Sequence, residues 1–103
     1  MNTVIFNNDT EHAFELSSYN RNTTFNGEQI NSTAYMTLRA DSSTIEYISS
    51  FIQTNITSII LTHDSDVVYQ LNNISARITS IDEYLNNDYV QMNINFIFDM
   101  SNT

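Results

Sequence analysis

The sequence predicts a mainly β fold: an antiparallel β-sandwich or half-barrel of about seven strands, with one flanking α-helix over about 44–54. Three observations carry this expectation. Residues 89–100 alternate, with Val90, Met92, Ile94, Phe96, Phe98 and Met100 on one face and Gln91, Asn93, Asn95 and Asp99 on the other. Clusters of Asn and Asp, which tolerate left-handed backbone, punctuate the apolar runs. In one place only the period changes from two to helical, at Ile45, Ile48 and Ile52.

The elements follow in order. Thr3 to Asn7 reads as a short strand, closed by the turn cluster Asn7-Asn8-Asp9-Thr10. Glu11 to Ser18 alternates weakly, with Phe14 and Leu16 on one face. Tyr19 to Gln29 is polar apart from Tyr19 and Phe25 and holds the single Asn-Gly pair, so it reads as a long loop or an irregular hairpin arm. In Ser32 to Ala40, Ala34, Met36, Leu38 and Ala40 share one face. Ser43-Thr44-Ile45-Glu46 fits a capping box, with Ser43 as N-cap, Glu46 at N3 and Asp41 adding favourable charge near the helix start. The helix should end near Thr54-Asn55. Thr57–His63 and Val67–Leu71 then form a hairpin across His63-Asp64-Ser65-Asp66. Ile74–Tyr84 and Tyr89–Met100 form another across Leu85-Asn86-Asn87-Asp88. The expected core is Phe14, Leu16, Met36, Leu38, Ile45, Ile48, Ile52, Ile59, Leu61, Ile78, Val90, Met92, Ile94, Phe96 and Phe98. The order β-β-β-α-β-β-β-β with tight turns implies antiparallel pairing, and residues 1–103 form one domain by length.

Composition removes much of the functional menu. The chain has no Cys, no Pro, no Trp and one Gly; its 3 basic residues are all Arg, against 12 acidic ones, for a net charge of -9. That leaves no disulfide frame, thiolate nucleophile or cysteine zinc site. It leaves no lysine for a Schiff base or P-loop, and no glycine-rich dinucleotide fingerprint. Three cations cannot lay down a phosphate-binding stripe, so direct nucleic-acid binding is not expected. No apolar run approaches the roughly 20 residues of a membrane helix, and no membrane partner is expected. The first residues lack a basic stretch, so a signal peptide is not expected.

The candidate chemistry is sparse. His63-Asp64-Ser65-Asp66 could hold a metal or pair an acid with a base, but Asp-Ser-Asp is ordinary turn chemistry. Glu11, His12 and Glu15 read as a solvated face. Serine, histidine and aspartate are present, yet nothing positions a triad, and a nucleophile elbow needs two glycines. Asp82 and Glu83 are adjacent and point to opposite faces of a strand. Five Asn-x-Ser/Thr triplets occur, close to the number expected by chance in a chain with 15 Asn, 12 Ser and 12 Thr. No catalytic residue, metal or cofactor is expected.

Aromatic side chains off the main apolar rows are the better signal, because tyrosine is enriched at interfaces. Tyr35, Tyr69 and Tyr89 read as facing away from those rows, as do Ile60, Ile81 and Ile97. With Tyr19, Arg21 and Phe25 of the polar segment and Arg39, they make the candidate interface: Tyr19, Arg21, Phe25, Tyr35, Arg39, Tyr69, Tyr89 and Ile97. The absence of Pro and Lys leaves strand edges without their usual protectors.

The polar segment Tyr19-Asn20-Arg21-Asn22-Thr23-Thr24-Phe25-Asn26-Gly27, the strand Ala34–Ala40, one capped helix and two hairpins follow each other as in small virion proteins of tailed bacteriophages. In this order of elements the chain resembles the tail-tube-type fold, a β-sandwich or half-barrel flanked by one helix. The resemblance implies a virion structural protein, of the tail tube, tail terminator, baseplate or connector. Such a protein would assemble in the host cytoplasm into a ring or other homo-oligomer and contact neighbouring virion proteins. Tyr19–Gln29 would be an arm that reaches a neighbour and orders on assembly. The alternative expectation is a small acidic inhibitor, encoded by a phage or mobile element, that binds a basic site of a host nuclease or polymerase.

Overall fold

In the computed structural model, which describes residues 1–99, the strands are β1 (Asn2–Phe6), β2 (Ala13–Asn26), β3 (Gln29–Ala40), β4 (Ile59–His63), β5 (Asp66–Leu71), β6 (Ala76–Asn86) and β7 (Tyr89–Phe98). Met100, expected to end the last strand, lies outside the described residues. A helix, α1 (Ser42–Ser49), continues into a 3-10 turn over Ser50–Ile52. All strand pairs are antiparallel, in one seven-stranded sheet of order β5-β4-β1-β2-β3-β7-β6.

The turns show how a sheet manages with one glycine. Asn7 and Asn8 both take positive φ (54° and 57°), as do Asp64 and Ser65 (50° and 73°). Short polar side chains tolerate this region best. Between β2 and β3, Asn26 pairs with Gln29, so the loop is Gly27-Glu28 with Gly27 at φ +64°.

This sheet is strongly curled. β1 and β7 stand three ladder steps apart, about 14 Å in a flat sheet at roughly 4.8 Å per step. Yet the Phe6 and Phe96 ring centroids are 6.2 Å apart. The concave side therefore closes on itself, with Val4, Phe6, Met36, Leu38, Ile59, Met92, Ile94 and Phe96 fully buried there. At one end the segment leading into β4 reaches the β6 margin, where Ile56 N–H donates to the Ala76 carbonyl (2.9 Å) and Ala76 N–H returns the bond (3.0 Å). The helix and 3-10 turn cap the core through Ile48 and Phe51, whose ring lies 5.6 Å from Phe6.

Several expectations need correction. The N-cap is Asp41, not Ser43: Asp41 Oδ1 accepts from the Ser43 and Thr44 N–H groups (2.9 and 3.0 Å). The box is closed by Thr44, whose Oγ1 accepts from the Asp41 N–H at 3.1 Å, so Glu46 has no part in it. Once α1 tightens into the 3-10 turn, helical spacing no longer holds, and Ile52 points outward (61% exposed) while Phe51 takes its place in the core. Phe14, Ile45, Ile78 and Val90 are half-buried against the core. Of the two readings of Tyr19–Gln29, the loop is wrong and the hairpin arm is right, though the arm is regular. Its residues pair in unbroken register from Ser18–Thr37 to Asn26–Gln29.

Three register shifts change which residues share a face. Leu16 pairs with Leu38 and Ser18 with Thr37, so Ser17 is an extra residue in β2. In the same way Val68 is extra in β5 and Thr79 in β6. A bulge reverses the alternation beyond it. Hence Ile81, expected opposite Ile78, packs on the same core face, and Tyr19 follows Leu16 onto the concave side.

Candidate assembly interface

The eight candidate residues separate into two groups on opposite faces. Tyr19, Arg21 and Phe25 lie on the concave side of β2, in register with Met36, Ala34 and Ile30. Tyr69, expected away from the apolar rows, pairs with buried Leu61, and its ring centroid is 6.0 Å from that of Tyr19. The structure thus brings these two tyrosines together across the curl. The Tyr19 hydroxyl is buried with no hydrogen-bond partner among the described residues, and burial raises its pKa above the ordinary tyrosine value. Arg21 lies over the Phe98 ring, 4.0 Å from its centroid, and its Nε–H donates to Ser32 Oγ at 2.7 Å. Thr23 Oγ1 joins the same hydroxyl at 3.0 Å. A guanidinium over a ring and a fully buried serine make this group a polar extension of the core. Phe25 stands apart at the hairpin tip, 73% exposed.

Tyr35, Arg39, Tyr89 and Ile97 lie on the convex side, between the buried residues of β3 and β7. There they border a ladder of polar side chains. Thr37 Oγ1 donates to Asn93 Oδ1 (3.1 Å), Asn86 Nδ2 to Gln91 Oε1 (3.0 Å) and Asn95 Nδ2 to Ser80 Oγ (2.9 Å). The Arg39 guanidinium stacks 4.7 Å above Tyr89. Most of this face is self-satisfied, which lowers its appetite for a ligand.

The edges of the sheet are the unsatisfied part. Only Ala13, Phe14 and Glu15 of β2 pair with β1, so on that side β2 is open from Ser18 to Asn26 among the described residues. The outer sides of β5 and β6 are open likewise, beyond the Ile56–Ala76 bridge. Exposed apolar side chains sit on these edges: Val67 (57%), Val68 (63%) and Tyr69 (41%) on β5, Tyr84 (44%) and Leu85 (73%) on β6. Sequence reading missed Val67, Val68 and Leu85. Their signal was adjacency, since two neighbouring apolar residues on a strand cannot both face one core.

The titratable groups form a small structural pin. Glu11 and His12 lie in the turn before β2 rather than on a strand. Asp9 Oδ2 accepts from the Tyr47 hydroxyl at 3.0 Å and lies 2.9 Å from His12 Nδ1, while the His12 ring stacks on Tyr47 at 4.6 Å. Desolvation, then the bond to the Asp9 carboxylate, push the Tyr47 phenol up to about 12. The Tyr47 bond, and then His12, hold Asp9 below the usual carboxylate value. Beside this pin is a shallow depression of about 350 Å³, lined by Glu11, Glu15, Arg39 and Asp41 among others. Among the described residues, no group of three or more His, Cys, Asp or Glu is placed to hold a metal. His63 lies on the exposed turn at the end of β4, with Nδ1 2.6 Å from Asn2 Oδ1 and Nε2 3.3 Å from Asp64. No helix among the described residues is long and apolar enough to cross a membrane.

Compared with protein-family models, curated proteins and solved structures, the chain matches none.

Proposed function

We propose that this chain is a structural subunit that acts by homo-oligomeric assembly, as a bacteriophage virion protein of the tail tube, terminator, baseplate or connector. The observation that supports it best is the open β2 edge, Ser18–Asn26: a regular strand with one side of its backbone unpaired among the described residues, in a chain with no Lys and no Pro to protect it. An open edge is a liability in a monomer and a joint in an assembly. The arm expected at Tyr19–Gln29 enters this reading as a preformed hairpin. Under this reading the chain performs no reaction, meets itself and neighbouring virion proteins, and stays off nucleic acid because its charge of -9 repels phosphate.

Light scattering with negative-stain imaging of the purified chain tests the proposal. Defined particles with rotational symmetry are expected. A strict monomer at high concentration that instead captures a basic host nuclease or polymerase would replace this reading with the acidic-inhibitor one.

A further inference from the structure

The three open edges are not equivalent, and their differences select a pairing. β5 has six residues, and the extra Val68 breaks its ladder, leaving Tyr69–Leu71 as its longest regular run. A bulge twists an edge away from a prospective partner. In β6 the bulge sits at Thr79, and the register beyond it is regular from Ser80 to Asn86. In β2 the bulge sits at Ser17, just before the open stretch begins, and Ser18–Asn26 is regular throughout. Two long straight edges are therefore available. They differ in charge: Ser18–Asn26 carries Arg21 and no acid, while Ser80–Asn86 carries Asp82 and Glu83 and no base. Two β6 edges brought together would oppose acids to acids, which is destabilising. A β2 edge against a β6 edge brings opposite signs together.

We infer that the β2 edge of one copy takes up the β6 edge of a second copy as an antiparallel strand, with Arg21 opposite Glu83. This deepens the assembly reading and rests on it. The register follows from the bulges. Ser18 then faces Asn86 and Thr24 faces Ser80, so the straight part of β6 lies wholly on the straight part of β2. On the concave side Tyr19 meets the exposed Leu85, and Thr23 meets Ile81. On the convex side Asn20 meets Tyr84, and Asn22 meets Asp82. Each copy offers two different edges, so the contact is head-to-tail and generates a ring or a filament rather than a two-fold dimer.

The absence of native cysteine makes the test direct. In one chain residues 22 and 82 lie on strands three ladder steps apart, about 14 Å in a flat sheet, and both face the convex side, where the curl spreads them further, so a 22–82 disulfide must join two copies. The double variant Asn22→Cys with Asp82→Cys alters exposed positions, and circular dichroism checks that it keeps its sheet. Mild oxidation should yield a ladder of covalent oligomers on a non-reducing gel. Either single variant should give dimers at most, and the pair Asn22→Cys with Val68→Cys no ladder. Reversing the acids, Asp82→Lys with Glu83→Lys, should weaken self-association at least about tenfold. Defined oligomers without the 22–82 ladder, or unaffected by the charge reversal, overturn the inferred pairing and leave the assembly reading standing. A strict monomer overturns both.

Discussion

Replacing Phe6 by Ala is the sharpest test of the curled sheet. Phe6 is fully buried on the first strand, and three aromatic rings surround it: Phe51 at 5.6 Å, Phe96 at 6.2 Å and Phe14 at 6.3 Å. Those rings come from the 3-10 turn, from β7 and from β2, so each is held by a different element. None can move into the gap without dragging its own backbone, and the cavity should stay largely open. The loss is then the transfer term plus an unrelaxed cavity, at the upper part of the ~3–5 kcal/mol range for Phe→Ala. A domain of this size has a total stability of roughly 5–15 kcal/mol, so the variant should lie near the edge of folding. Urea unfolding followed by circular dichroism should show the midpoint falling sharply with the slope unchanged. The thermal midpoint should fall by about 15–30 °C. Phe25→Ala is the matched control, since its ring is 73% exposed, and should change stability by no more than about 0.5 kcal/mol. A Phe6→Ala loss below about 1 kcal/mol would mean that β1 does not close over β7 and that the sheet is open.

Three further outcomes follow from the same geometry. Ile48→Ala should cost about 2–5 kcal/mol, whereas Ile52→Ala, four residues on, should cost no more than about 0.5, measured by the same urea melts. Asp41→Ala should lower stability by about 1 kcal/mol through loss of its two backbone acceptances, and Ser43→Ala by clearly less. The Asp9–Tyr47 bond should shape both limbs of a stability–pH profile. The Asp9 pKa is lowered on folding, so its contribution is present above the unfolded value of 3.8 and is lost as pH falls through the folded value; Tyr47 is raised from 10.0 to about 12, so its contribution is complete below 10.0 and is lost as pH rises toward 12. Tyr47→Phe should flatten the alkaline limb, and tyrosinate absorbance should show one phenol fewer titrating late.

What the sequence made legible was whatever depends on an unbroken local period. The long alternation through β7 needs no tertiary information, and its even-numbered residues from Met92 to Phe98 are buried as expected. The hairpin turns were legible because Asn and Asp announce backbone that other residues avoid. Three things were not. A bulge is a backbone event with no residue signature here: Ser17, Val68 and Thr79 are ordinary strand residues, so Ile81 and Tyr69 were assigned by parity to the wrong faces. The curl is a long-range effect, and it buries Phe6 and Ile56, which a strand-by-strand reading left out of the core. Cap choice was degenerate, because Asp41, Ser42 and Ser43 are all competent N-caps and only the chain's exit from β3 decides among them. How the eight candidate residues group in space was not legible either. The bulges and the curl place Tyr19 beside Tyr69 and leave Tyr35, Arg39, Tyr89 and Ile97 on the other face.

The placement of the bulges also alters the argument about edges. From composition, a sheet without Lys or Pro has undefended margins. Among the described residues β2, β5 and β6 each carry one extra residue, and on β5 it interrupts the open stretch itself, so that edge is defended in the backbone rather than in the side chains. On β5 it sits amid the most apolar edge, Val67–Tyr69, where an undisturbed ladder would invite indiscriminate strand addition. On β2 it sits at Ser17, where the strand leaves β1, and it leaves the polar stretch from Ser18 to Asn26 straight. Polar strands gain less from non-specific stacking, so a partner must supply matching hydrogen bonds and charge to hold there. Under the proposed assembly reading, the bent apolar edge guards against aggregation while the straight polar edge is kept for a matched partner. Restoring β5 by deleting Val68 should therefore raise disordered aggregation, read as turbidity, without adding any symmetric species. If that deletion leaves turbidity unchanged in a folded protein, the bulge is not what guards the edge.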